Sequence, residues 1–224
     1  MSILNIIKGR LIVSCQALEN EPLHGPDIMR KMAKAAKEGG AVAIRANGVL
    51  DIIAIKEETQ LPVIGLIKRD YPKCEVYITP TIKEIDDLIS SGCEIIAMDA
   101  TNRCHPDHVS LIEKVNRIHQ ANRLAMADIS TIEEALQAQA LGFDIVSTTL
   151  SGYTPYSPQQ DAPDVELIGK CVKALTIPVI AEGRIFSVED IKAVKAQNPF
   201  AIVVGSAITR PQLITKRFAD AYSE

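Results

Sequence analysis

Leu11-Ile12-Val13-Ser14-Cys15-Gln16 is a short apolar run that stops on a polar side chain, and the chain repeats this arrangement eight times. The other runs occupy residues 41–45, 63–68, 94–99, 123–128, 144–149, 179–182 and 201–206, and stretches of helical periodicity separate them. Parallel strands buried on both faces read as nearly continuous hydrophobic segments, whereas the side chains at their carboxyl ends meet solvent and ligand. Eight such units predict a single (β/α)8 TIM barrel over residues 1–224. An open doubly wound sheet uses the same local units, but no GxGxxG follows the first run and no Walker sequence occurs. In a barrel the active site sits at the carboxyl mouth, so Gln16, Arg45, Lys68, Asp99, Asp128, Thr149, Glu182 and Ser206 are expected to form one polar ring.

Between the runs, apolar residues return every three or four positions: Ile28, Met32 and Ala35; Ile82, Ile85 and Leu88; Leu111, Val115 and Ile118; Ile132, Ala135 and Leu136. Capping signals open these helices at Thr81 with Glu84, at Ser130 ahead of Glu133 and Glu134, and at Ser187 with Asp190. Run starts fall 30, 22, 31, 29, 21, 35 and 22 residues apart, a spacing that fits βαβ units and leaves no room for an inserted domain. Leu61-Pro62-Val63-Ile64 is echoed by Ile177-Pro178-Val179-Ile180, as a barrel of two similar halves would show.

Composition narrows the function. The formal net charge is −4 and the 24 basic residues are scattered, so the electrostatic footprint of a nucleic-acid partner is absent. With no Trp and 4% aromatics, the core must be aliphatic and stacking platforms for bases are not expected. Five cysteines without a CxxC pair point to a reducing, cytoplasmic setting. No signal segment is read, and no apolar stretch approaches the ~18–20 residues that cross a bilayer, so a soluble protein without a membrane partner is expected.

Two glycine-bearing run ends, Ala181-Glu182-Gly183-Arg184 and Val203-Val204-Gly205-Ser206-Ala207, fall where barrels commonly bind phosphate. Glycine lets backbone N–H groups approach phosphate oxygens, and a helix N-terminus adds partial positive charge. Gly183, Arg184, Gly205 and Ser206 are the expected phosphate set. Lys68 and Glu182 end runs three and seven, on opposite walls of a closed ring, where an amine and a carboxyl flank a substrate from two faces. That placement suits removal of a C–H proton beside a carbonyl and its return on the other face. A neutral lysine base needs its pKa lowered by desolvation or by neighbouring cations, for which Arg45 and Arg69 are the candidates.

Arg45 and Asp128 either hold substrate oxygens or pair with one another, and Asp99 is structural or a hydroxyl ligand. Cys104-His105-Pro106-Asp107-His108 suggests a metal cluster at first sight, but Pro106 and Asp107 at a helix start account for it, so no metal site is expected. Residues 150–158 carry Tyr153 and Tyr156 and form either a lid hinged at Gly152 or a static loop, with substrate contact at Tyr153. The last helix carries Leu213, Ile214, Phe218 and Tyr222, a face that packs on the barrel wall or in a homodimer.

The runs 11–16, 41–45 and 67–70, together with 148–154, 181–184 and 204–210, resemble bacterial N-acetylmannosamine-6-phosphate 2-epimerases, and the likeness spans nearly the whole chain. The resemblance implies interconversion of N-acetylmannosamine 6-phosphate and N-acetylglucosamine 6-phosphate in sialic-acid and amino-sugar catabolism, on a small-molecule amino-sugar phosphate and without metal or other cofactor. It implies Lys68 as catalytic base, Glu182 as its partner, Arg45 and Asp128 as substrate ligands and Gln16 in the site. His105 departs from the pattern, where relatives commonly carry a second arginine. Schiff-base aldol chemistry at Lys68 and a non-catalytic phosphosugar-binding barrel are the competing readings.

Overall fold

The computed structural model describes residues 2–223. Its eight parallel strands are β1 (Leu11–Cys15), β2 (Ala43–Asn47), β3 (Val63–Leu66), β4 (Ile95–Asp99), β5 (Leu124–Asp128), β6 (Ile145–Ser147), β7 (Val179–Ala181) and β8 (Ala201–Val204). They pair in sequence order and close, with Leu11 of β1 opposite Ile202 of β8. The expected (β/α)8 barrel is therefore the observed fold. Around it lie α2 (Pro26–Glu38), α3 (Val49–Thr59), α4 (Ile82–Ser91), α5 (Leu111–Gln120), α6 (Ile132–Ala140), α7 (Val165–Ala174) and α8 (Val188–Lys195). Before the first strand comes α1 (Ile3–Ile7), and after the last come α9 (Ser206–Thr209) and α10 (Pro211–Ser223).

Strand alternation sorts the side chains into two cores. Ile12, Ala43, Ile64, Leu66, Met126 and Ile180 fill the barrel interior, and Ile7 of α1 packs beneath them as a plug. Val13, Ile44, Val63, Ile96 and Val146 point outward into the layer between strands and helices. Four helices begin with a reciprocal capping box, at Thr81 with Glu84, Ser110 with Glu113, Thr131 with Glu134 and Ser187 with Asp190. Each satisfies two backbone N–H groups that the first turn leaves without helical partners. The cap of α6 is Thr131, one residue later than Ser130, whose hydroxyl instead donates to Glu134 at 2.8 Å. The sequence echo is structural: the Pro62 carbonyl accepts from Ile44 N–H and the Pro178 carbonyl from Val146 N–H, both at 3.0 Å.

Three expectations need correction. The second strand runs on to Asn47, so Arg45 lies two residues inside it, paired in register with Ser14 and Ile64 and only 1% exposed. Pro106 and Asp107 do not start a helix, because α5 begins at Leu111; Asp107 instead accepts from the Ile82 and Val109 N–H groups. No described residue of α10 is buried, and Phe218 and Tyr222 are 75% and 94% exposed, so this face does not pack on the barrel wall.

Gly65 marks where β3 meets its helix most closely. A Cβ there would stand 2.7 Å from Cys93 Sγ and 2.9 Å from Ile52 Cδ1, both fully buried residues. Gly65→Ala is expected to lower unfolding stability by about 1–3 kcal/mol through overpacking. Denaturant unfolding measures it, and an unchanged midpoint would show that α3 yields freely.

Candidate active site

A cavity of about 550 Å³ opens at the carboxyl mouth, lined by Gln16, Arg45, Lys68, Thr149, Tyr153 and Glu182. The phosphate set of Gly183, Arg184, Gly205 and Ser206 lines it as well. Asp128 and Asp99, expected in the same ring, lie below it with no exposed surface. Asp128 directs its carboxylate to protein partners, and Asp99 accepts from Thr101 N–H at 3.0 Å, Thr101 Oγ1 at 2.6 Å and Arg103 Nη2 at 2.6 Å. The direct reading of Asp128 as a substrate ligand is thus replaced by a supporting place under the cavity floor.

Arg45 crosses the barrel interior from β2. Its Nη2 donates to Asp128 Oδ2 at 2.5 Å and its Nη1 to Asp128 Oδ1 at 3.1 Å, a two-pronged pair that fixes the guanidinium plane. Nη1 also donates to Thr149 Oγ1 at 3.0 Å and to Glu182 Oε2. Burial opposes its charge, yet Asp128 and Glu182 together hold the guanidinium more firmly protonated than usual. Burial pushes the Glu182 carboxyl upward; Arg45 pulls against that rise and Asp128 adds to it.

Lys68 stands two residues beyond β3. Its N–H donates to Asn47 Oδ1 at 2.8 Å, and it forms an antiparallel bridge with Ile78, so its backbone is held from both sides. Burial, then Arg45 and Arg210, lower its pKa to about 8 against the opposing carboxylates Glu182 and Asp128. The second cation acting on Lys68 is therefore Arg210, itself paired with Glu21 at 2.7 Å, and not Arg69, which pairs with buried Glu84 at 2.8 Å. Sequence reasoning missed Arg210, which follows the short α9 five residues after Gly205. It also missed Tyr77, which lines the cavity from the long loop after β3, where no periodicity points inward.

At the other end of the cavity, Gly183 and Arg184 both take positive φ, turning the chain sharply after β7, and Gly205 caps the short α9. The Arg184 guanidinium donates to the Gly152 carbonyl at 2.7 Å and lies 4.8 Å from the Tyr153 ring centroid. A Cβ on Gly152 would meet it at 1.7 Å, so this glycine makes room for the arginine. The loop is braced: Gly152 N–H donates to Ser157 Oγ at 2.8 Å, and Tyr156 Oη turns away to Glu134 at 2.7 Å. His105 is buried against the Pro80 carbonyl at 2.9 Å, and among the described residues no group of three or more His, Cys, Asp or Glu could hold a metal ion. No described helix is long and apolar enough to cross a membrane.

The family model for N-acetylmannosamine-6-phosphate epimerases (NanE) matches residues 29–224. A protein of Clostridioides difficile (strain 630) named N-acetylmannosamine-6-phosphate 2-epimerase is 59% identical over 218 residues, covering 97% of this chain and 98% of its own. A Clostridium perfringens relative of the same name is 58% identical over 217 residues, with 97% and 98% coverage. A solved structure of the N-acetylmannosamine-6-phosphate 2-epimerase from Clostridium perfringens matches with a TM-score of 0.97 at 56% identity, over 99% of this chain and 96% of that one. Thiamine phosphate pyrophosphorylase from Pyrococcus furiosus, at 17% identity and a TM-score of 0.62, shares the fold alone.

Removing the guanidinium strands two carboxyls in the barrel interior. Arg45→Met is expected to lose about 3–5 kcal/mol, as when one partner of a buried ion pair is deleted. Chemical denaturation reads it, and a loss under about 1 kcal/mol would mean that water reaches the pair.

Proposed function

The chain belongs to the N-acetylmannosamine-6-phosphate epimerase family and interconverts N-acetylmannosamine 6-phosphate and N-acetylglucosamine 6-phosphate, and we propose that Lys68 removes the C2 proton with Glu182 as its acid partner. The observation that supports this is the Lys68 amine, brought to about 8 by burial and by Arg45 and Arg210, four strands around the closed barrel from Glu182. A base with a pKa near working pH combines available free amine with useful proton affinity.

Charge balance links the two groups. Arg45 offsets one of two carboxylates, so the constellation is neutral with one proton held by either Lys68 or Glu182. Neutral Lys68 therefore goes with protonated Glu182, a base and an acid in one site. The open-chain sugar places C2 beside its carbonyl; Lys68 takes the C2 proton and the electron pair moves onto the carbonyl oxygen as an enolate. The carbonyl then re-forms as C2 takes the Glu182 proton on the opposite face, which inverts C2 and leaves Lys68 protonated and Glu182 ionised, the partner pair for the reverse reaction. Cationic Arg45 next to the cavity favours the enolate charge.

Gly183, Arg184, Gly205 and Ser206 hold the 6-phosphate in this reading, supported by the two turns and the short helix that follow β7 and β8. Arg210 lines the same cavity, and in this reading it serves both phosphate and Lys68. Gln16 and Tyr153 meet the sugar; Gln16 donates to Ser14 Oγ at 2.8 Å while its Oε1 is buried without a partner among the described residues. The five free cysteines suit a cytoplasmic setting, and exposed Leu213, Phe218 and Tyr222 suit a homodimer. The scattered charge gives nucleic acid no surface to hold.

Several readouts bear on the assignment. Turnover in deuterated water should place deuterium at C2; a product that keeps its original hydrogen would show Lys68 serving both faces without exchange. Lys68→Ala should fall to background, and borohydride with substrate should trap no covalent adduct, as a Schiff-base route would. Because the active form pairs a free Lys68 amine with a protonated Glu182, kcat/KM should follow a bell in pH whose alkaline limb falls near about 8, the value set on Lys68, as the pair loses its shared proton. Arg210→Gln should move that limb upward by up to about one unit as a lowering charge is removed. An unmoved limb would detach Arg210 from the base.

A further inference from the structure

Thr149 stands at the centre of the constellation and was expected to touch substrate. Its hydroxyl has four polar neighbours: Asp128 Oδ1 at 2.7 Å, Ser147 Oγ at 2.8 Å, Arg45 Nη1 at 3.0 Å and Glu182 Oε2 at 3.2 Å. A threonine hydroxyl offers one proton and accepts two. Arg45 can only donate, so it occupies one lone pair, and Ser147 at 2.8 Å is placed to occupy the other. The single proton then has two claimants, Asp128 and Glu182, and the shorter contact is to Asp128. Nothing is left over for a substrate hydroxyl.

We infer that Thr149 is a positioning residue that gives its one proton to Asp128, fixing Asp128 as the lasting anion beside Arg45 and leaving Glu182 as the carboxyl of the pair that carries a proton. This rests on the reading of Glu182 as acid partner of Lys68 and supplies what that reading lacks, a reason why the proton sits on one carboxyl and not the other. Denied the Thr149 proton, an ionised Glu182 would face the Thr149 oxygen at 3.2 Å with Arg45 as its short-range donor; the Ser147 hydroxyl lies 3.5 Å from Glu182 and, at 2.8 Å, closer to Thr149. Protonation takes the negative charge out of that contact. The charged and titratable groups around Glu182 are Arg45 on β2, Asp128 on β5 and, across the cavity, Lys68 with Arg210 beside it. Burial of Glu182 and the Asp128 charge act in the same direction, whereas Arg45, and the Thr149 hydroxyl to the extent that it donates to Glu182, act against it.

The sign of one measurement tests this. The infrared carboxylic-acid stretch of Glu182, identified by its loss in Glu182→Gln, is followed against pH in the resting enzyme. In Thr149→Val the midpoint should fall by about one unit, because valine no longer secures Asp128 as the sole anion. Thr149→Ser should keep the wild-type midpoint. A rise in Thr149→Val would mean that the proton goes to Glu182 and would overturn the proposal, as would the absence of any Glu182 acid signal in the wild type. Kinetically, Thr149→Val should lower kcat by about tenfold or more with KM within about twofold; a raised KM at unchanged kcat would return Thr149 to the substrate contacts. Should the valine variant not fold, Thr149→Ala carries the same expectations. An active Lys68→Ala enzyme would sink the base assignment yet leave the infrared result standing, so the two failures are distinguishable.

Discussion

A guanidinium enclosed in the top layer of the barrel is the constraint on which the mouth is built. An ion of this kind costs several kcal/mol to bring out of water, and only well-placed partners offset that. Arg45 has them in the two oxygens of Asp128 at the end of β5 and in the Thr149 hydroxyl and Glu182, just beyond the ends of β6 and β7. Two carboxyls against one guanidinium leave an imbalance of one charge, and a proton on Lys68 corrects it, since nearby Arg210 is balanced by Glu21. The electrostatics that make the barrel interior tolerable thus also pair a base with an acid.

The fold supplies the geometry for this at small expense in sequence. Every strand contributes alternate residues inward, so the interior can be aliphatic at its base and polar at its top without a break in the ladder. Ala43 and Arg45 of β2 show the change within two positions: the first belongs to the apolar interior, the second to the charged layer. Below, α1 seals the floor with Ile7, which keeps water from reaching the ion pair from underneath. Above, the turns after β7 and β8 place their glycines and Arg184 at one end of the cavity, away from the layer that Asp128 occupies.

What the sequence disclosed follows the same physics. Strands buried on both faces cannot avoid being Val- and Ile-rich, so all eight runs stood out, and period two put Ile64, Leu66 and Ile180 on the interior side where they are found. Capping boxes are local, and three were readable to within a residue. Depth was not local. The second apolar run ends at Arg45 in the sequence, yet Ala46 pairs with Cys15 and Gly65 and Asn47 with Leu66, which extends β2 and carries Arg45 below the rim. Whether Asp128 met ligand or arginine depended on a contact 83 positions apart. Tyr77 and Arg210 lie on aperiodic segments, where nothing in the spacing tells which side faces inward. The exposed face of α10 is a different matter: the helix was legible, but amphipathic periodicity says only that a face wants cover, not what provides it.

Exposure then separates the roles within the charged layer. Asp128 has no accessible surface and Arg45 almost none, so neither can exchange a proton with a ligand and both serve as a fixed field. Glu182 keeps 13% of its side chain open, and Lys68 is only partly enclosed, so the groups that can change protonation are those that reach the cavity. Desolvation acts on each of them in the useful direction, raising the carboxyl and lowering the amine. Both shifts come from the same closed wall, and they narrow the gap between donor and acceptor across which a weakly acidic C–H proton must travel. The arginine below is too well matched to lose its charge, so in the proposed mechanism the proton's movement above it is confined to Lys68 and Glu182.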